Sequence, residues 1–451
     1  MENDNCMKIY KYNDKYLRYD VNTNKIIVSE NKISSEDIND KHILKSLETC
    51  KSHSDVFEIT ENYNDIYITF LTTSICNMKC KYCYERNSSI DAKSSSFTFD
   101  KLLITYESFE KKFPKHRFFI NFFGGEPLIE KQIIKDFIIE VNNRCLNRGI
   151  EKPYYGAITN GTLLDEETIE FIVEYFDSLT ISMDGTKSTH DENRIFRNGE
   201  NTFDCIYKNL KKLNTINIDG KLSLTCELTL TDSFIKYYTD NIVNEIMCIV
   251  KELKFDTVEF VPVIDSNSKL FENIDLVNNI VGKIVDLWFE DLINEKYTIN
   301  IPSIYNCLKH LLSKSNKLQN LICTAGTSYF AINSDFEIFP CQVSIYEDNN
   351  VMGQIIDNKI RLNYQKLQKY KKSSDLEICS ECECRGFCTS FCKVHMSNIK
   401  SNEIPRSCVF NRILFQKILF KIMDIYNDNQ LKERFNTSLL NLSKLKNGIN
   451  S

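Results

Sequence analysis

Between Tyr67 and Ile264 the chain alternates short runs of β-branched and aromatic residues with stretches whose apolar residues recur at helical intervals, and few folds accommodate that rhythm. Six runs read as strands: IYITFLTT, RFFINFF, PYYGAIT, SLTISMD, LSLTCELTL and TVEFVPVI. EKQIIKDFIIEVNNRCL and DEETIEFIVEYF lie between them as amphipathic helices, the second opening on a plausible cap, Asp165. The expected fold class is α/β, an open, partial (β/α)6 TIM-like barrel whose chemistry collects at the carboxyl ends of its strands.

The flanks differ in character. Residues 1–66 read as a small α+β module, with strands in KIYKYNDKYLRYD and NKIIVSE and a helix around DKHILKSLE. The barrel is expected over 67–265 and a helical bridge over 266–320, where LVNNIVGKIVDLWFEDLINEK falls. A cysteine-rich unit follows over 321–410, and 411–451 reads as a C-terminal helix with a tail expected to fray after about Asn436. In a chain of 451 residues, 42% apolar with 29 Phe and 22 Tyr, there is ample material for a large core. A net charge of −6 with scattered Lys and Arg argues against nucleic acid or an anionic membrane as partner. No apolar run reaches the roughly 18 residues of a spanning helix, and the first residues lack a signal-peptide core, so a cytoplasmic protein is expected. In such a reducing compartment its 18 cysteines are ligands sooner than disulfides.

CNMKCKYC, from Cys76 to Cys83, closes the first strand. Three thiolates on one short loop can hold three irons of a 4Fe-4S cube and leave the fourth open to a ligand. A structural zinc loop needs a fourth ligand, and the first candidate after Cys83 is the distant His116. The spacing of Cys76, Cys80 and Cys83 resembles the cluster loop of the radical SAM enzymes. FFGGEP resembles their GGEP segment, which implies that Gly124, Gly125, Glu126 and Pro127 meet the amino group of S-adenosyl-L-methionine (SAM). ITNGTLL resembles the TNG turn, placing Thr159 and Asn160 near SAM; SMDG would turn Ser182 and Asp184 toward its ribose and methionine parts. HDENR makes Arg194 a candidate partner of the SAM carboxylate, since guanidinium and carboxylate match as a fork. Tyr82 reads either as core packing or, by the resemblance, as a ring against the adenine.

A second constellation runs through CTAGTSYFAINSDFEIFPC, CSECECRGFCTSFC and Cys408. It resembles the SPASM domain, which carries auxiliary 4Fe-4S clusters; a pair of zinc knuckles is the plainer alternative. The resemblance assigns Cys379, Cys382, Cys388 and Cys408 to an outer cluster, and Cys323, Cys341 and Cys392 to an inner one. The chain departs from the fully ligated pattern, because TAGTSYF lacks the further cysteine expected after Cys323. Cys384 and Cys307 are the substitutes at hand; otherwise the inner cluster keeps a bare iron to which a substrate thiolate could bind. Phe336 stands where the family has a glycine, which puts the local turn in question. The remaining cysteines, at 6, 50, 145, 205, 226, 248 and 307, read as buried inert thiols.

The resemblance implies an enzyme that cleaves SAM reductively to a 5'-deoxyadenosyl radical, fed by a flavodoxin- or ferredoxin-type electron donor. Two substrates compete. Anaerobic sulfatase-maturating enzymes carry a proton-accepting Asp after the inner-cluster cysteine, whereas Gln342 follows Cys341 here, and an amide is no base. The long leading module loosely resembles the PqqD-like leader-recognition element of peptide maturases, in which a disordered leader adds a strand to a sheet edge; a hairpin that only caps the barrel is the alternative. The reading is therefore a maturase of a ribosomally made, cysteine-containing precursor peptide, forming thioethers. A sulfatase maturase comes second, and a non-catalytic zinc scaffold is the alternative of another class.

Overall fold

The computed structural model describes residues 7–13, 15–21, 25–29, 65–83, 96–263, 268–312, 324–346, 350–371, 382–384, 387, 388 and 406–446. The expected helix around DKHILKSLE and residues Cys6, Cys50, Cys323, Cys379 and Cys392 lie outside them.

Three antiparallel strands come first: β1 (Met7–Tyr12), β2 (Lys15–Asp20) and β3 (Lys25–Ser29), in the order β1-β2-β3. All six expected barrel strands form: β4 (Asp65–Thr73), β5 (Arg117–Gly124), β6 (Tyr154–Thr159), β7 (Ser178–Ser182), β8 (Ser223–Leu230) and β9 (Thr257–Pro262). They pair in parallel and in sequence order, so each must return through a crossover. The crossovers carry α1 (Phe99–Lys112), α2 (Lys131–Arg148), α3 (Glu166–Tyr175), α4 (Lys187–Asn193), α5 (Phe203–Ile216) and α6 (Ile242–Glu252). Capping follows the sequence: Asp165 accepts the Thr168 amide at the start of α3, and α2 stops at Gly149 in the left-handed region (φ +64).

Alternation along each strand separates two environments. Phe118, Ile120 and Phe122 of β5 are buried against the helices, while Phe119, Asn121 and Phe123 point to the half-open lumen. Phe70, Phe122 and Phe137 pack edge-to-face and stacked at 5.6–6.1 Å, bolting α2 to the sheet. Truncating such a ring costs about 3–5 kcal/mol.

Beyond the barrel come α7 (Ile274–Ile293) and α8 (Pro302–Leu312). Strands β10 (Tyr329–Ile332), β11 (Glu337–Phe339), β12 (Gly353–Ile356) and β13 (Lys359–Leu362) follow, then α9 (Arg406–Asn427) and α10 (Asn429–Lys446). β10 joins the barrel itself, pairing in parallel with β4, and β11 to β13 continue antiparallel into a sheet of ten strands. The tail expected to fray is helical to Lys446, because Phe435 stacks on Phe289 at 5.8 Å and Leu439 is buried. The N-terminal sheet lies on α9, where Tyr19 meets Phe415 and Tyr12 meets Phe420, both at 5.0 Å, and the Tyr12 hydroxyl donates to Asp424.

Candidate active site at the carboxyl ends of the strands

The loop after β4 is held from the side. Lys79 and Lys81 amides donate to the Ile195 and Asn193 carbonyls (2.8 and 2.9 Å), Met78 is buried in a bridge to Phe196, and Arg197 Nε donates to Cys76 O at 2.6 Å. Cys76, Cys80 and Cys83 are all half-buried on this loop. Nitrogen donors face two of the sulfurs: the Met78 amide lies 3.4 Å and Asn160 Nδ2 3.9 Å from Cys76 Sγ, and Arg194 Nη1 lies 4.0 Å from Cys80 Sγ.

The end of β5 presses against the same loop. A Cβ on Gly124 (φ +131) would stand 2.3 Å from the Thr73 carbonyl oxygen, and one on Gly125 would stand 2.4 Å from that of Ile75. Their place is taken by hydrogen bonds, Gly125 N to Thr73 O at 2.8 Å and Glu126 N to Ile75 O at 2.9 Å. The close approach that demands these glycines is therefore made by the cysteine loop's own backbone. Glu126 is fully buried: Oε1 accepts from the Thr159 hydroxyl (2.6 Å) and Leu128 amide (3.1 Å), Oε2 from the Asn160 amide (2.8 Å). The carboxylate thus brackets the ends of β5 and β6, with Pro127 buried beside it. Asn160 continues the bracket by donating to Asn77 Oδ1 at 2.9 Å.

Across the site Asp184 is fully buried and carries three contacts. The Tyr82 hydroxyl donates to Oδ2 at 2.7 Å, Arg194 Nε pairs with Oδ2 at 3.1 Å, and the Thr229 amide donates to Oδ1 at 3.1 Å. The Arg194 guanidinium sits over the Tyr82 ring at 5.3 Å. Burial opposes the charge on Arg194, but Asp184, Tyr82 and Cys80 outweigh it and hold the group firmly cationic. Ser182, on the lumen face of β7, is nearby in register with Glu227.

Sequence reading missed two kinds of residue. His190 orders the turn after β7: the Asp184 amide donates to its Nδ1 (3.2 Å), which puts the ring proton on Nε2, 3.0 Å from Thr202 Oγ1. Burial holds this imidazole far below its ordinary pKa, hence neutral. The signal was present in HDENR, read only for its arginine. Glu227 of β8 and Glu259 of β9 are cross-strand partners on the lumen face, both pushed up by desolvation, Arg194 opposing the shift at Glu227. A charged residue at alternate positions of SLTCELTL and TVEFVP was the available sign.

The second constellation is partly in view. Cys341 follows β11, and its neighbour Gln342 accepts the Tyr329 hydroxyl at 2.6 Å, while Tyr329 also meets Thr69 Oγ1 of β4 at 2.6 Å. Phe336 keeps the turn where a glycine was expected, with φ +63. The Cys388 amide donates to the Cys384 carbonyl at 2.8 Å, and the Cys382 thiol, hydrogen-bonded to Cys384, is pulled down to about 6. Cys145, Cys226 and Cys307 are buried as expected and Cys205 is half-buried, but Cys248 is exposed, since it lies on the outer face of α6. Among the described residues no three Cys, His, Asp or Glu converge on a point that would hold a single metal ion. A cube makes a lesser demand, because each thiolate meets a different iron.

An open parallel sheet with three thiols on the loop after its first barrel strand defines the class. Residues 70–238 match the model of the Radical SAM superfamily, so this part of the chain is a radical SAM domain. It is 25% identical over 343 residues to the cysteine-type anaerobic sulfatase-maturating enzyme of Clostridium novyi (strain NT), covering 71% of this chain and 86% of that one. It is 24% identical over 340 residues to the radical SAM cyclopropyl synthase TigE of Paramaledivibacter caminithermalis, covering 72% of this chain and 67% of that one. The fold matches the solved structure of native anSMEcpe with bound AdoMet at a TM-score of 0.62, with 21% identity, over 81% of this chain and all of that one. The family's cofactors are a 4Fe-4S cluster and SAM. The residues suit them: soft thiols with N–H groups turned to sulfur, and a glycine-tight wall against their loop. No helix among the described residues is long and apolar enough to cross a membrane.

Proposed function

We propose that the protein modifies a cysteine-containing precursor peptide, forming thioether crosslinks. Cys76, Cys80 and Cys83 would hold the first cluster, and Gly124 to Pro127, Thr159, Asn160, Ser182, Asp184, Arg194 and Tyr82 would hold SAM. When bound, the cluster and SAM supply a 5'-deoxyadenosyl radical by reductive cleavage. The chain's own part is positional. Arg194 offers a buried cation to a carboxylate, Asp184 and Tyr82 fix that cation, and Glu126 locks the two strand ends that carry the wall. The second constellation would hold auxiliary clusters as in SPASM proteins, and the N-terminal sheet, whose outer strands are β1 and β3, offers an edge to a leader.

Gln342 carries the choice of reaction. It is neutral, and its oxygen already accepts the Tyr329 hydroxyl, so it takes no proton from a substrate carbon. The relationship to sulfatase-maturating enzymes favours a second reading, oxidation of a sulfatase cysteine. Anaerobic incubation with SAM, a reductant and a short cysteine-rich peptide encoded beside this chain separates the two. A product lighter by two hydrogens per crosslink and with blocked thiols is expected. An unchanged peptide, together with a hydrazide-reactive aldehyde formed on a sulfatase peptide, would transfer the assignment to the second reading.

A further inference from the structure

The second cysteine constellation has a neighbour that the proposed function leaves unused. Cys408 opens α9, and Asn411 and Arg412 follow it by three and four residues, one turn further along the same face. Asn411 is buried, and its Nδ2 donates to Cys388 Sγ at 3.3 Å. The side-chain donors at the first cluster loop stand farther from their sulfurs, at 3.9 Å for Asn160 and 4.0 Å for Arg194. Arg412 has a buried Nε with no hydrogen bond, and it lies in the field of Cys382, Glu383 and Cys384. Cys384 and Cys388 are buried in turn, Cys388 N donating to Cys384 O at 2.8 Å. One helix therefore brings a hydrogen-bond donor and a fixed positive charge to the cysteines assigned to the outer cluster.

Reduction adds negative charge to an iron-sulfur cluster, and donors or cations at its sulfurs favour the reduced form, which raises the potential. We propose that Asn411 and Arg412 are positioning residues of α9 that raise the reduction potential of the outer auxiliary cluster, Asn411 through its N–H on Cys388 and Arg412 as a fixed charge beside Cys382. The inference rests on the reading of 321–410 as an auxiliary-cluster unit. It also supplies what that reading needs. Closing a thiol onto a carbon removes two hydrogens from the peptide. One would leave as a hydrogen atom to the 5'-deoxyadenosyl group that SAM supplies and the other as a proton to solvent, and an auxiliary cluster held by these cysteines would supply the acceptor for its electron.

The test is a redox titration of the anaerobically reconstituted holoenzyme followed by electron paramagnetic resonance, on wild type, Asn411→Ala, Asn411→Ser and Arg412→Met. Iron content should stay at about twelve per chain for three cubes. One auxiliary signal should move to lower potential in Asn411→Ala and in Arg412→Met. The expected change is about tenfold in the reduced-to-oxidised ratio, or about 59 mV for one electron. Asn411→Ser, which keeps a donor, should fall between, and the SAM-binding cluster should not move. Unchanged midpoints in iron-replete variants would overturn the proposal, and so would loss of outer-cluster iron in both Asn411→Ala and Arg412→Met, which would make the residues structural. If wild type itself holds only about four irons with one signal, the auxiliary-cluster reading fails instead, and that result is distinct.

Discussion

Gly125 has an ordinary backbone, and what demands glycine there is the Ile75 carbonyl, 2.4 Å from where a Cβ would stand. Gly125→Ala should push the cysteine loop outward by a fraction of an ångström to an ångström. Displacement on that scale costs catalysis about 10²-fold, so SAM cleavage in the reconstituted variant should fall by about that factor with the fold intact by circular dichroism. His190 makes a different kind of prediction. It is neutral when folded and titrates near its ordinary 6.5 when unfolded, so between the two values the unfolded chain binds the extra proton. Stability then falls as pH drops below about 6.5, by about 1.4 kcal/mol per pH unit for this one group. Urea melts across pH 7.5 to about 5 should lose up to about that much pH dependence in His190→Gln relative to wild type, while His310, also lowered by burial, keeps its own share in both. These residues also mark the limit of the sequence. The cysteines and glycines were legible because each sits a fixed step past a strand end, whereas the partner of Gly125 is a carbonyl fifty positions earlier, which no local pattern displays.

At the scale of elements, the turn between β10 and β11 is instructive. Phe336 occupies the left-handed region, where a side chain costs about 1–2 kcal/mol. Asn333 organises the turn by accepting the Asp335 and Glu337 amides at 3.1 and 3.0 Å, and Lys101 Nζ stands 5.8 Å from the Phe336 ring. Neighbouring contacts thus hold a conformation that the residue itself disfavours. Phe336→Val should destabilise the protein by about 1 kcal/mol more than Phe336→Gly, although glycine removes more atoms, because a β-branched residue suits this region least. Thermal melts of the two variants decide it. The doubt raised by the missing glycine was thus answered by turn contacts that composition does not reveal. Strands and helices fared better: every barrel strand was legible as a short run of β-branched and aromatic residues between helical stretches. Glu227 and Glu259 were hidden in plain view, since only strand pairing shows that they face one another.

For the whole molecule, the architecture of the barrel was legible and its width was not. Parallel pairing in sequence order follows from alternating strand and helix, but β10 reaches β4 across some 260 positions, with Tyr329 opposite Tyr67 and Tyr67 N donating to Ser328 O at 2.7 Å. A cysteine-rich unit read as an appendage is thereby woven into the sheet that carries the first cysteine loop. Its strands shield the flank of IYITFLTT, which would otherwise present a row of unpaired amides and carbonyls beneath aromatic side chains. A chain cut before Thr324 should accordingly self-associate, with light scattering rising at micromolar protein while the full-length chain stays clear. Removing the carboxyl-terminal part from this chain therefore exposes a sticky seam, and that part acts as the molecule's own stopper against clumping.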